Sequence, residues 1–252
     1  MREARLLTAS SNGVRFTFWK PVVSVESERS LPVGIGEPSS SVDATVAFTP
    51  TTTEVHMSER VLVFYGSYRA GRMGIRLADY CVRTLQARGV DAELIDAKAV
   101  DLPMLDRMYK EYPPGEAPEA MEALAGKIRG ADGFVFVTGE YNWGMQPGLK
   151  NLTDHFLEEW FWRPAGIVSY SAGRLAGARG SVPWHSTLSE MGMVVISSTV
   201  NVGPIGKTLD AQGQPIDEPG KFLEKSFARF ADDLAWWMEA ARLQKGRKAP
   251  PF

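Results

Sequence analysis

The sequence predicts an α/β fold, a three-layer sandwich around a five-stranded parallel sheet with the strand order 2-1-3-4-5. Two observations predict it. From residue 60 onward, short runs of apolar and β-branched residues alternate with longer segments whose apolar residues recur at helical spacing. Three of the short runs end in loops rich in glycine and polar residues, as strands do at the ligand-binding edge of an open parallel sheet. Parallel neighbours require right-handed crossovers, so helices are expected on both faces.

The elements follow in order from these patterns and from local start and stop signals. Strands are predicted at about 60–66, 92–96, 133–138, 165–170 and 193–196. Helices are predicted at about 73–89, 117–130, 148–160, 176–191 and 218–243. Gly89 closes the first helix and Pro147 opens the third. The last helix is expected to bury its large apolar residues, which are Phe222, Phe227, Phe230, Leu234 and Trp237.

The first 56 residues differ from the remainder of the chain. Residues 1–56 are rich in Ser, Thr, Pro and Gly and show no sustained period of two or 3.6. We interpret this segment as a disordered extension and residues 57–252 as one folded domain. Met57 is a candidate start, which would make the extension an over-extended reading frame. The alternative is a transit peptide, because the first 22 residues are poor in acids and carry several arginines.

Composition excludes several classes of protein. The formal net charge is -2 over 252 residues, which argues against an electrostatic nucleic-acid binder. No apolar run approaches the length of a membrane span, so no membrane partner is expected. The single cysteine, Cys81, excludes an internal disulfide or a multi-cysteine metal site and suits a reducing cytoplasm. It lies on an apolar helix face, which predicts a buried thiol, and we expect no metal site.

The loop after the first strand has the composition of a phosphate-binding turn. It reads Gly66-Ser67-Tyr68-Arg69-Ala70-Gly71-Arg72 and leads directly into a helix. Glycines allow the backbone to approach an anion, and a helix N-terminus and arginines attract it. The loop lacks the defining residues of the G-x-G-x-x-G and Walker motifs. The alternative is that Arg69 and Arg72 pair with acids such as Asp96 or Asp132.

Two further loops follow predicted strands and complete a pattern. The loop after the third strand contains Glu140-Tyr141-Asn142-Trp143 and is followed by Leu149-Lys150-Asn151. The loop after the fourth strand runs from Ser171 to Gly180 and contains Gly173, Gly177 and Arg179. Because the carboxyl ends of parallel strands share one edge of the sheet, the three loops are expected to form one site.

These loops resemble those of the NADPH-dependent FMN reductase family, which includes flavodoxin-like NAD(P)H:quinone, chromate and azo reductases. The family pattern is roughly G-S-x-R, then P-E-Y-N with L-K-N, then S-x-G-x-x-G-G-x-R, in this order and at these strand ends. The resemblance covers about residues 60–239. The chain departs from the pattern at Gly139, where the family has proline, at Ala176, the first of the paired glycines, and at Arg72, where many members have serine.

The resemblance implies a flavodoxin-like domain that binds FMN, uses NADPH or NADH as co-substrate and reduces a small-molecule acceptor. It places the FMN phosphate at Ser67, Arg69, Arg72, Met73 and Gly74. It places the isoalloxazine ring along Glu140, Tyr141, Asn142 and Trp143, with its far edge against Ser171 and Gly173. No catalytic side chain is implied, because the cofactors themselves carry out hydride transfer. The acceptors implied are quinones, free flavin, azo compounds or metal oxyanions.

Alternatives remain open at the level of the sequence. A flavodoxin-like electron carrier or redox sensor would bind FMN without turning over NADPH, and a nucleotide-binding module would bind no flavin. Trp143 is interpreted either as a stacking surface or as a subunit contact, and Glu140 either as a ligand contact or as a support of its loop. The resemblance implies a homodimer or homotetramer. The aromatic stretch 160–164 is a candidate for that contact or for packing within the subunit.

Overall fold

The computed structural model describes residues 7–11, 14–18 and 58–252. The chain divides into two units, Met1–Thr53 and Glu54–Phe252. In the first unit, strands β1 (Leu7–Ser11) and β2 (Val14–Phe18) pair antiparallel. The sequence pattern does not predict this pair, because five-residue strands are too short to show a sustained period. The coil-like stretches predicted at 38–41 and 49–53, and Met57, lie outside the described residues.

A five-stranded parallel sheet forms the centre of the second unit. Its strands are β3 (Arg60–Tyr65), β4 (Asp91–Asp96), β5 (Gly133–Gly139), β6 (Pro164–Tyr170) and β7 (Val194–Val202). They lie in the order β4-β3-β5-β6-β7, and every neighbouring pair is parallel. The predicted order 2-1-3-4-5 is confirmed. All seven residues of β5 and of β6 are buried, which explains why these strands are continuous apolar runs.

Helices cover both faces of the sheet, as predicted. The described residues form α1 (Ile75–Ala87), α2 (Ala97–Val100), α3 (Glu119–Arg129), α4 (Pro147–Asp154), α5 (Ala178–Glu190), α6 (Ile205–Thr208) and α7 (Asp217–Arg247). One core lies between the sheet and α1 with α7, and a second core lies between the sheet and α3, α4 and α5. Alternate residues of β3 contribute to opposite cores, since side chains alternate across a strand.

Three elements differ from the predicted ones. Helix α4 ends at Asp154, and a separate 3₁₀ turn, Glu158–Trp160, carries Trp160 into the core. Strand β7 continues to Val202, because it is an edge strand whose partly exposed positions accept polar residues. The Phe222 side chain is 69% exposed, so the prediction that it belongs to the core is wrong. Cys81 is fully buried, as predicted, and burial raises the pKa of its thiol.

Candidate functional site

The three predicted loops follow strands that lie side by side, so they share one edge of the sheet. We name them the first loop (residues 66–74, after β3), the second loop (140–146, after β5) and the third loop (171–177, after β6). The hydroxyls of Ser67 and Tyr141 are 2.8 Å apart and join the first loop to the second. The parallel sheet therefore brings together residues that are 74 positions apart in the sequence.

The first loop presents hydrogen-bond donors that have no acceptor. Among the described residues, the backbone N–H groups of Ala70 and Gly71 have no partner, and the Arg69 guanidinium makes no ion pair. The loop leads into α1, a 13-residue helix whose dipole favours negative charge at this end. Unpaired donors, an unpaired cation and a helix N-terminus form an arrangement that fits a phosphate group.

Arg72 in the same loop is engaged by the protein itself. Its Nη2 lies 2.6 Å from Asp96 Oδ2, and its Nη1 donates to Asp96 Oδ1 at 2.7 Å and to the Ser67 carbonyl at 3.1 Å. The hydrogen bond that Arg72 donates to Asp96 is the main reason that the pKa of Arg72 is raised. The structure therefore shows for Arg72 the ion pair that the sequence left as the alternative, and this pair closes the first loop against the end of β4.

The glycines at the edges of the first loop allow close packing. A Cβ on Gly66 would lie 2.2 Å from the Leu149 Cβ, and one on Gly74 would lie 2.1 Å from the Tyr170 ring. Larger residues would push the loop away from α4 and from β6. Met73 is 38% exposed, and its methyl carbon lies close to Gly206 of α6.

The second loop contains a tight turn with an unusual backbone. The Tyr141 N–H donates to the Gly144 carbonyl at 3.0 Å, and the Gly144 N–H donates to the Tyr141 carbonyl at 2.9 Å. The two residues between them, Asn142 and Trp143, have φ values of 48° and 74°. This left-handed region is rare for a residue as bulky as tryptophan and costs about 1 kcal/mol or more. The Trp143 side chain is nevertheless 68% exposed, so core packing does not explain the strain.

Glu140 supports the second loop through a pair with Arg179. The Glu140 side chain is 6% exposed and forms an ion pair with the Arg179 guanidinium. The hydrogen bond from Arg179 lowers the pKa of Glu140. The same guanidinium lies 4.0 Å from the centre of the Trp143 ring, within cation–π distance. Glu140 Oε2 is buried without a hydrogen-bond partner among the described residues.

Buried hydroxyls and an amide lie beneath the first two loops. The Gln146 Nε2 donates to the Tyr170 hydroxyl at 2.7 Å, and the Tyr170 hydroxyl lies 3.4 Å from that of Tyr65. Burial raises the pKa of both tyrosines. Gln146 is fully buried, and its Oε1 has no partner among the described residues. The sequence did not predict these buried polar contacts, because only the folded sheet brings Tyr65 and Tyr170 together.

A cavity of about 340 Å³ opens between the first and second loops. Two of the predicted site residues, Arg69 and Tyr141, line it. The remaining lining residues were not predicted as site residues, and they are Gly66, Tyr68, Leu102, Met104, Pro147, Gly148 and Asn151. Leu102 and Met104 follow β4 and reach the cavity because β4 lies beside β3, in agreement with the predicted strand order.

The third loop is attached to the edge of the sheet. The Ser171 hydroxyl donates to the Gly173 carbonyl at 2.9 Å, and the Ser171 N–H donates to the Val202 carbonyl at 3.1 Å. Hydrogen bonds thus run within the loop and to β7. Ser171 and Gly173 therefore lie on the same edge as the other predicted residues, on the side towards β7.

Other predicted features concern metals and membranes. Within the described ranges, no group of three His, Cys, Asp or Glu residues is arranged to hold a metal ion. No helix in the described part of the chain has the length and apolar composition required to cross a membrane.

Lys150 pairs with Asp154 at 2.5 Å, one helical turn away, which is the ordinary role of a surface lysine.

Known proteins with similar sequences or folds are named as FMN reductases, quinone reductases or related oxidoreductases. The sequence model of the NADPH-dependent FMN reductase family matches residues 59–206. The NAD(P)H-dependent FMN reductase LOT6 of Saccharomyces cerevisiae is 29% identical over 160 residues, covering 58% of this chain and 82% of LOT6. A quinone reductase of Escherichia coli is 31% identical over 172 residues, covering 64% of this chain and 88% of its own length.

A solved structure shows the same fold. FerB, a flavoenzyme NAD(P)H:(acceptor) oxidoreductase of Paracoccus denitrificans, superimposes with a TM-score of 0.59 at 24% identity. The superposition covers 73% of this chain and 98% of FerB. The predicted fold, family and cofactors are thereby confirmed. Because the family model spans more than half of the chain, the protein belongs to the NADPH-dependent FMN reductase family, as an oxidoreductase that uses FMN and NAD(P)H.

Proposed function

We propose that the protein oxidises NADPH or NADH and reduces a quinone or a similar small-molecule acceptor, such as free flavin, an azo compound or a metal oxyanion. The observation that carries this proposal is the cavity of about 340 Å³ beside the unpaired donors of the first loop. FMN bound at this site would supply the hydride-transfer chemistry between the nicotinamide and the acceptor. The protein supplies placement and electrostatics, as described below.

The first loop is proposed to bind the phosphate of FMN. Among the described residues, the Arg69 guanidinium has no ion-pair partner and the N–H groups of the next two residues have no acceptor. Ser67, Met73 and Gly74 contribute hydroxyl and backbone donors of the same loop. Arg72 contributes indirectly, since its pair with Asp96 fixes the loop in the shape that presents these donors.

The second and third loops are proposed to hold the isoalloxazine ring. Tyr141 lines the cavity, and Asn142 and Trp143 form the turn above it. Glu140 acts through Arg179, because its carboxylate is buried in the ion pair that supports the turn. Ser171 and Gly173 close the far edge. The exposed Trp143 ring offers an apolar face for a nicotinamide or a quinone to stack on.

The visible absorption spectrum of the purified protein, repeated anaerobically after the addition of NADPH, tests this function. We expect a flavin spectrum that bleaches within seconds and returns when a quinone is added. A yellow protein whose spectrum persists with NADPH and NADH would instead be an electron carrier or a redox sensor. A protein that stays colourless after incubation with FMN would overturn the assignment of the first loop.

We also propose that the protein is a homodimer or homotetramer located in the cytoplasm. The aromatic stretch 160–164 is a weak candidate for the subunit contact, because Trp160 is fully buried and Trp162 packs against Phe252. The exposed aromatic residues of α7, Phe222 and Trp236, are better candidates. Light scattering of Trp236→Glu tests this: a smaller oligomer supports a contact through α7, and an unchanged one places the contact elsewhere.

A further inference from the structure

A second cavity lies at the opposite end of the sheet from the candidate site. Its volume is about 450 Å³, and it opens beside Pro164 and Val194, the first residues of β6 and β7. The three loops of the candidate site follow the last residues of the strands. Seven residues of β6 separate the two ends, a distance of about 20 Å. A molecule bound in this cavity is therefore not bound at the cofactor site.

The walls of this cavity are apolar and contain two tryptophans. Trp237, Ala240 and Ala241 of α7 form one wall, and Trp162 forms another together with the prolines at 250 and 251. The volume falls within the range of about 300–1,000 Å³ that is usual for small-molecule sites. Flat indole rings and proline rings are surfaces on which a planar apolar molecule packs well.

The wall formed by the C-terminal residues is attached to the rest of the domain. The Trp162 indole Nε1–H donates to the Phe252 carbonyl at 2.8 Å. The Phe252 ring packs against Trp162 and against Phe161, with centroid distances of 4.7 Å and 5.3 Å. These contacts hold the residues before Phe252 over α7, so the cavity is a built feature of the fold.

Three cations line the cavity, and none of them forms an ion pair with a carboxylate of the described residues. Among the described residues, Arg163, Lys245 and Lys248 form no ion pair. The Arg163 guanidinium donates only to backbone carbonyls, those of Glu159, Phe161 and Arg129. The negative charge of Asp132 acts to raise the pKa of Arg163 and of Lys245, against the larger effect of burial, but Asp132 lies beyond ion-pair distance of both. Partial burial and the charge of Arg163 lower the pKa of Lys245. An anion at this position would offset the repulsion between Lys245 and Arg163.

We propose that this cavity is a binding site for a small aromatic carboxylate, whose ring lies between the tryptophans and whose carboxylate meets Lys245 and Arg163. Apolar walls select the ring, and the unpaired cations select the charge. The positive charges exclude a cationic ligand, and a neutral apolar molecule would leave them unpaired. The site is separate from the FMN and nicotinamide chemistry proposed for the strand ends.

Isothermal titration calorimetry of the FMN-loaded full-length protein tests the proposal with 2-naphthoate and its uncharged analogue 2-naphthamide. We expect naphthoate to bind roughly tenfold more tightly than the amide, which corresponds to one charge-assisted contact. Lys245→Gln should reduce naphthoate affinity about fivefold to tenfold and leave naphthamide affinity unchanged. Lys225→Gln, which removes one charge from an exposed position of the same helix, should change neither.

A filling variant and the flavin spectrum locate the site. Ala241→Trp should abolish naphthoate binding while the flavin spectrum and the thermal unfolding midpoint stay close to those of the wild type. Equal affinity for naphthoate and naphthamide, or an unchanged affinity in Lys245→Gln, would overturn the proposal, as would the absence of binding. Competition between naphthoate and a quinone would place the ligand at the cofactor site instead and would also overturn it. If Ala241→Trp fails to fold, the lysine variants and the amide still decide.

Discussion

The first and second loops lie side by side at one edge of the sheet, yet they are held in opposite ways. The first loop is fixed from outside by the Arg72–Asp96 pair and by close packing at Gly66 and Gly74, and its Ala70 and Gly71 N–H groups have no partner among the described residues. In the second loop the Tyr141 and Gly144 N–H groups bond within a strained turn, which presents the Trp143 side chain to solvent. One loop offers backbone and charge, and the other offers an aromatic surface. This difference is expected when one loop binds a phosphate group and the other binds an aromatic ring.

The largest expected effect comes from adding a side chain to Gly66. A Cβ here would lie within 2.2–2.4 Å of Leu149 atoms, two of which belong to the backbone. We expect Gly66→Val to lower the free energy of unfolding by about 3 kcal/mol and to abolish FMN binding, because the first loop must move. Gly71→Ala is the matched control, since nothing lies within 4 Å of its Cβ position. Urea denaturation and FMN titration measure both. Equal loss in the two variants would contradict the packing argument.

The Glu140–Arg179 pair should matter next, and its effect should depend on pH. Arg179→Met leaves the buried Glu140 carboxylate without its cation and should cost about 2 kcal/mol at pH 7. Solvent screens the pair and keeps this cost moderate, because the Arg179 side chain is 35% exposed. Arg174→Met removes an exposed arginine of the third loop and should change stability little.

The sign of the pH dependence follows from the lowered pKa of Glu140. The pair stabilises the folded protein fully above the unfolded carboxyl pKa of about 4.3. That stabilisation disappears as the pH falls through the lower folded pKa. The difference in unfolding free energy between wild type and Arg179→Met should therefore shrink below about pH 4. A difference that stays constant between pH 7 and the acid range would show that Glu140 is not the partner.

The two arginines of the first loop should separate binding from stability. Arg69→Gln removes an unpaired cation and should weaken FMN binding about tenfold or more, with the unfolding midpoint of the apoprotein unchanged. Arg72→Gln breaks the pair with Asp96 and should lower apoprotein stability by about 1 kcal/mol, together with a smaller loss of FMN affinity. Fluorescence titration of FMN and thermal unfolding of the apoprotein distinguish the two. Identical behaviour of both variants would reject the distinct roles.

The smallest effect on stability is expected at the strained turn. Trp143→Gly and Trp143→Ala both remove the ring, but only glycine tolerates a φ of 74° without strain. The glycine variant should therefore be more stable than the alanine variant by about 1 kcal/mol. Both should raise the KM for NADPH or for a quinone to a similar extent, if the ring is the stacking surface. Steady-state kinetics showing an unchanged KM in both variants would remove that role.

Much of the fold was predictable because β3, β5 and β6 are continuous apolar runs that lead into loops rich in glycine and polar residues. Runs such as 133–138 and 165–170 are buried on both faces, which leaves a strong signal in the sequence. The sequence signal of the edge strand β7 is weaker, because its half-exposed positions tolerate serine and threonine. Phe222 was wrongly predicted to lie in the core. Helix α7 has 31 residues, and helical spacing does not reveal which of its turns are exposed to solvent.

The sequence predicted that the candidate site lies at one edge of the sheet, but it did not predict most of the contacts within the site. The motif residues Ser67 and Tyr141 meet as expected, because parallel strands align their ends. The pair between Glu140 and Arg179 depends on where α5 begins relative to the end of β5. The contact of Gly74 with the Tyr170 ring depends on how α1 packs across the neighbouring strands. Such distances are set by tertiary packing, and no local pattern encodes them.

The buried layer of Tyr65, Tyr170 and Gln146 has a consequence for proton supply. Burial raises the pKa of both phenols, so the layer stays neutral at physiological pH and well into the alkaline range. A neutral phenol takes up no proton, so the layer provides no general base for the reaction proposed at this edge of the sheet. It also adds no formal charge beneath the position proposed for the isoalloxazine ring.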